Sequence, residues 1–198
     1  MGNPDLPTVL VTGFGLFRDH SENSSWITAK QLLNIDHKNY NLVIRELPVI
    51  YDVVLDSVPK LWEELKPKLV VHCGMSELAT CIAIEKQACN TDYFGCDVKG
   101  QLPPNNCCCS VGQNVLHTAI DVDKVLEDLK QHDVCVKTES SDNAGRYLCE
   151  FIYYTSLKIN RNTAFVHLPP VNQPYTAQQM AQTLSLIISS MLKQITHS

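Results

Sequence analysis

Three residues in this sequence, a thiol, an imidazole and a carboxylate, are of the types that together perform nucleophilic chemistry. Cys149 falls in the first turns of a helix predicted over 144–157, after a strand predicted over 134–138. The unpaired N–H groups and positive dipole end of a helix start favour the thiolate, the nucleophilic form of cysteine. His167 ends the apolar run 164–168, which Pro169-Pro170 stops as a strand. Reactive groups of open α/β sheets gather beyond the carboxyl ends of the strands, so both residues are expected at one edge. A thiol beside an imidazole attacks carbonyl carbon, and a third group commonly orients the imidazole. Glu85 is the candidate for that group: it lies in the strand-like run 80–88, where an unpaired charge is costly. The residue types alone leave other readings open. Cys149 also reads as a buried core thiol, His167 as a hydrogen-bonded core histidine, and Glu85 as a strand carboxylate paired with Lys86. His72, near another strand end, is a rival base.

The elements that must position these groups alternate between short apolar runs and longer amphipathic ones. Further strands are predicted over 8–12, 42–47 and 68–73, and helices over 25–33, 51–65 and 121–131. Pro59 must bend or divide the second of those helices. Asp121 is placed to cap the third, and Ser140, Ser141 or Asp142 to cap the Cys149 helix. The stretch 90–113, rich in Gly, Pro and Asn, reads as a long loop or irregular hairpin. A last helix from about Thr176 carries Met180, Leu184, Ile187, Ile188, Met191, Leu192 and Ile195 at helical spacing. The fold class is therefore α/β. One domain over 1–198 is expected, in three α/β/α layers, with a twisted, largely parallel open sheet flanked by helices.

Composition narrows the function classes. With 44% apolar and 19% charged residues the chain is globular. Its net charge of −5 is spread along the sequence, which offers no footprint for nucleic acid or an anionic membrane. No segment approaches the roughly 18 apolar residues of a membrane span. Nine cysteines, an odd number without an apolar leader, point to a reducing compartment, the cytoplasm. Gly13-Phe14-Gly15 lacks the third glycine of a dinucleotide site, where Arg18 stands instead. Cys107-Cys108-Cys109 has no C-x-x-C partner, and adjacent cysteines converge poorly on one tetrahedral metal ion.

Several segments then stand in a telling order. They are Val11-Thr12-Gly13-Phe14-Gly15-Leu16-Phe17, Glu46-Leu47-Pro48-Val49, and Gly74 followed by Ile84-Glu85-Lys86 and Asn90. After them come Ser141-Asp142-Asn143-Ala144-Gly145-Arg146-Tyr147-Leu148-Cys149-Glu150 and Phe165-Val166-His167-Leu168-Pro169-Pro170. Together they resemble pyroglutamyl-peptidase I, cysteine peptidase family C15, and are closest to its vertebrate-type cytosolic members and their "like" paralogues. The resemblance implies a catalytic triad of Cys149, His167 and Glu85, with Phe14 and Phe17 lining a slot for a pyrrolidone ring. Bacterial members carry a glutamine after the glycine here numbered Gly74; Met75 in its place can repeat the lactam contact only through backbone groups. Glu77, Ala83, Gln87 and Asn143 depart from the family's usual pattern. The implied activity is that of an omega peptidase cleaving after the N-terminal pyroglutamyl residue of small peptides, with no cofactor and no metal. The alternative is a catalytically silent paralogue that keeps the fold and binds a peptide or partner protein.

Overall fold

The computed structural model describes residues 3–17 and 21–196; Arg18 lies outside them. The chain runs β1 (Thr8–Phe14), α1 (Ser24–Gln31), β2 (Asn41–Leu47), α2 (Tyr51–Leu65), β3 (Leu69–Met75), β4 (Ile82–Glu85) and β5 (Gln87–Cys89). It continues through β6 (Val115–His117), α3 (Val122–Leu129), β7 (Thr138–Ser141), α4 (Leu148–Ile159), β8 (Thr163–Leu168) and α5 (Ala177–Thr196).

Alternation along the central strands builds the layers, because successive side chains of a strand face opposite sides of the sheet. Val9 and Val11 of β1, Leu69, Val71 and Cys73 of β3, and Ala164, Val166 and Leu168 of β8 join one apolar cluster. Residues of α1, α3 and α5 cover that cluster. Leu10, Phe14, Val70 and Phe165 join a second cluster on the opposite face, under α2 and α4. By the same parity Gly74, Glu85 and His167 face α4. The three α/β/α layers expected from the sequence are present.

The main sheet has the order β2-β1-β3-β8-β4-β7. Its first four strands are parallel, whereas β4 runs antiparallel to β8, and β7 is parallel to β4. This corrects the reasoning that placed Cys149. The strand before its helix points away from the carboxyl end of β8, so the link 142–147 must carry the chain back to the His167 edge. Cys149 reaches the expected edge by a different route.

Other boundaries move as well. The strand expected over 134–138 lies at Thr138–Ser141. Val136 is instead buried in the first cluster, and Lys137 O opens the pairing by accepting from Ile82 N at 2.9 Å. The Cys149 helix begins at Leu148, because Gly145 takes φ +88°, a conformation no helix contains. Ser140, Ser141 and Asp142 therefore do not cap it, and its N-cap is Tyr147, whose side chain does not cap the helix. The run 80–88 divides at Lys86 into β4 and β5. The latter pairs antiparallel with β6, and stretch 90–113 forms the irregular connection between them. Asp121 caps α3 as expected, accepting from Lys124 N at 2.9 Å. Pro59 sits inside α2 without dividing it. The carbonyl left without a donor belongs to Leu55, which is exposed, so water can serve it.

Candidate active site

β4 and β8 pair with Ala83 opposite His167 and Glu85 opposite Phe165. Glu85 and His167 are thus diagonal neighbours on one face, a separation long side chains bridge. Nδ1 of His167 lies 2.8 Å from Glu85 Oε1, so Nδ1–H donates to the carboxylate. Glu85 is 1% exposed, and Oε2 has no hydrogen-bond partner among the described residues. Its backbone carbonyl accepts from the buried Tyr153 hydroxyl of α4 at 2.9 Å, which ties the carboxylate's strand to the helix that carries Cys149. Phe165 supports the imidazole from beneath, with ring centroids 4.8 Å apart.

With Nδ1 committed to Glu85, Nε2 is the nitrogen left to face the neighbouring Cys149 thiol. Three effects set the charge of this ring. Burial favours neutral imidazole, but the neighbouring Cys149 sulfur and then Glu85 outweigh it, raising His167 from 6.5 to about 10. The arrangement therefore favours the imidazolium form of His167. Cys149 is the second residue of α4, in the first turn of a helix, where N–H groups lack intrahelical partners and the dipole favours negative charge. His72 is no rival base. It is fully buried, with Nδ1 2.7 Å from Thr12 Oγ1, and burial pulls it down to about 3.

The profile of the pyroglutamyl peptidase family matches residues 7–197. The chain belongs to the pyroglutamyl peptidase family. Pyroglutamyl-peptidase 1 of Rattus norvegicus is 41% identical over 186 residues, covering 93% of this chain and 89% of the relative. The human pyroglutamyl-peptidase 1-like protein is 32% identical over 151 residues, 76% of each chain. In fold, the chain is similar to pyrrolidone carboxyl peptidase of the hyperthermophile Pyrococcus furiosus, with a TM-score of 0.86 at 22% identity, covering 95% of this chain and 99% of that one.

Two spaces meet at Cys149 in this family member. A small recess is lined by Phe14, Phe17, Met75, Tyr147 and Leu148, so the three residues expected to bind substrate are brought together beside the sulfur. On the other side an open cleft of about 580 Å³ runs past His167, between Ser76–Cys81 and the link at 143–145. Asn23 fixes the recess wall, donating from Nδ2 to Gly15 O at 2.8 Å and accepting from Ser25 N at 3.1 Å. Gly13, the glycine that suggested a nucleotide loop, serves close packing: a Cβ there would lie 2.7 Å from Trp26 Cα in α1. The cysteine triplet diverges. Cys108 is buried, with Sγ 3.2 Å from Thr155 Oγ1, while Cys109 Sγ donates to Val111 O at 3.2 Å.

Two residues of the site escaped the sequence reasoning. Tyr147 borders both spaces, and nothing in its type marks it. Gly74 had a readable signal, since a glycine inside a strand often marks close approach by another group. It pairs with His167 across β3 and β8, and a Cβ there would lie 2.6 Å from Cys149 Sγ and 2.7 Å from Phe165 Cζ. Gly74→Ala is therefore expected to displace the sulfur and lower kcat/KM by about a hundredfold, the usual scale for ångström misplacement of a reacting group. Steady-state kinetics with a thermal melt checks this; a folded variant of unchanged activity would contradict it.

Proposed function

We propose that this chain is a cysteine omega peptidase that removes an N-terminal pyroglutamyl residue from small peptides, with Cys149, His167 and Glu85 as its catalytic residues. The observation that carries the reading is the buried Glu85 carboxylate bonded to His167, with Cys149 beside the ring where a small apolar recess meets an open cleft. The pyrrolidone ring occupies the recess between Phe14, Phe17 and Met75, and the rest of the peptide leaves along the cleft. Backbone groups about Met75 serve the lactam N–H and C=O, since the Met75 side chain offers no strong partner.

The Cys149 thiolate attacks the carbonyl carbon of the pyroglutamyl residue. The negative charge that develops on its oxygen meets backbone N–H groups at the start of α4. The His167 imidazolium then gives its Nε2 proton to the leaving amine, and the C–N bond breaks to leave a thioester. Neutral His167 takes a proton from water, which attacks the thioester, and the acid product departs with Cys149 restored as the thiolate. Glu85 holds Nδ1–H throughout, which keeps Nε2 directed at the sulfur. The silent-paralogue reading is not favoured, because the pyroglutamyl peptidase family profile spans residues 7–197 and the 41%-identical relative is named a pyroglutamyl-peptidase.

All nine cysteines are unpaired, which supports a reducing compartment such as the cytoplasm. No helix among the described residues is long and apolar enough to cross a membrane.

Turnover on matched pyroglutamyl and prolyl reporters tests the reading. A recess built to hydrogen-bond the lactam should cleave the prolyl analogue at least about a hundredfold less well, since its own polar groups would be left unpaired. Cys149→Ala should abolish turnover while the fold persists. Comparable kcat/KM on both reporters, or activity surviving in folded Cys149→Ala, would overturn the assignment.

A further inference from the structure

The antiparallel direction of β7 leaves the link 142–147 with a demanding task, and an ion pair outside the triad holds it in place. Arg146 Nη1 donates to Gly145 O at 2.8 Å and to Glu150 Oε2 at 2.5 Å, with Asn143 Oδ1 at 3.4 Å. Asn143 Oδ1 also accepts from Gly145 N at 3.2 Å, so one guanidinium and one amide close the turn at Gly145. Glu150 follows Cys149 directly and is 1% exposed. Its Oε1 accepts from Cys89 N of β5 at 2.8 Å, outside the main sheet. Arg146 O accepts from Phe94 N at 3.3 Å, a further tie to the loop after β5.

An acidic residue in the first turn of a helix commonly reaches back to the unpaired N–H groups there. Glu150 turns aside instead and spends both oxygens on β5 and Arg146. Among the described residues, neither Glu150 oxygen is bonded to the N–H groups at the helix start, which is anchored from outside the main sheet. We propose that Arg146 and Glu150 are positioning residues for Cys149: together they fix the turn at Gly145 and the first turn of α4, and so set the sulfur against His167. The proposal rests on the functional reading above for its kinetic readout. The opposite recess wall, Phe14, Phe17 and Met75, comes from the β1 and β3 ends and does not depend on the pair, so its loss should fall on kcat more than on KM.

Arg146→Lys is the informative variant. Lysine keeps a charge opposite Glu150, but its ammonium turns on a flexible stem and lacks the fixed, planar N–H directions with which Arg146 Nη1 holds Gly145 O and Glu150 Oε2 together. In the full chain, Arg146→Lys should keep its melting temperature near that of the unaltered protein while kcat falls about tenfold or more, with KM changed by about twofold at most. The rate at which iodoacetamide labels Cys149, followed by peptide mapping, should fall in step with kcat. Glu150→Gln should behave likewise, and it carries the test if Arg146→Lys fails to fold. Full kcat and labelling rate in Arg146→Lys would overturn the proposal, as would losses that only track melting temperature. Absence of turnover in the unaltered chain would instead count against the peptidase reading, and the labelling comparison would still decide this one.

Discussion

One hydrogen bond across β4 and β8 organises the site. Glu85 is an almost fully buried carboxylate whose side chain, among the described residues, is hydrogen-bonded to the His167 imidazole. A buried charge is tolerated only when paired, and breaking such a pair by removing one partner costs about 3–5 kcal/mol. The antiparallel register is what makes this pairing available. It sets Glu85 diagonally across from His167 on the face beneath α4, with Ala83 as the small residue directly opposite the ring. The carboxylate fixes which nitrogen is committed, and the other nitrogen is thereby left to the sulfur.

Helix α4 completes the arrangement from above. Tyr153 bonds the Glu85 carbonyl and lies against Phe165, whose ring in turn lies against His167, so the helix, the two strands and the imidazole form one packed stack. Farther along, Ser156 Oγ accepts from Trp62 Nε1 of α2 at 2.8 Å, which locks the two helices of this layer together. Gly74 removes the side chain that would otherwise occupy the sulfur's place. The Cys149 sulfur thus lies between a floor of three strands and the helix that carries it. That arrangement suits a reaction whose charge separation must be prepared before substrate arrives.

Much of this was legible in the sequence, for physical reasons. The apolar runs of β1, β3 and β8 and the spacing in α5 are strong periodic signals, and they give the layers. The placement of Cys149 was right in its edge and wrong in its route, since strand direction depends on pairing partners far away in the chain. Val136 in its alternating run looked like part of a strand, but edge pairing with β4 decided where β7 begins. The helix start at Leu148 depended on Gly145, whose left-handed conformation shows only in three dimensions. Lys86 gave no composition signal for the break between β4 and β5. The cis Gln173-Pro174 bond was equally invisible.

The account stands on the charge state of His167, which a ¹⁵N NMR titration of the imidazoles measures directly. Because Cys149 and then Glu85 outweigh burial, His167 should remain imidazolium through neutrality and lose its proton only as pH rises toward about 10. In Cys149→Ala, where the largest of the raising influences is gone, the same resonance should titrate at distinctly lower pH. Titration of His167 near 6.5 in the unaltered protein, unmoved by Cys149→Ala, would mean that no ion pair links the two residues and would contradict the account.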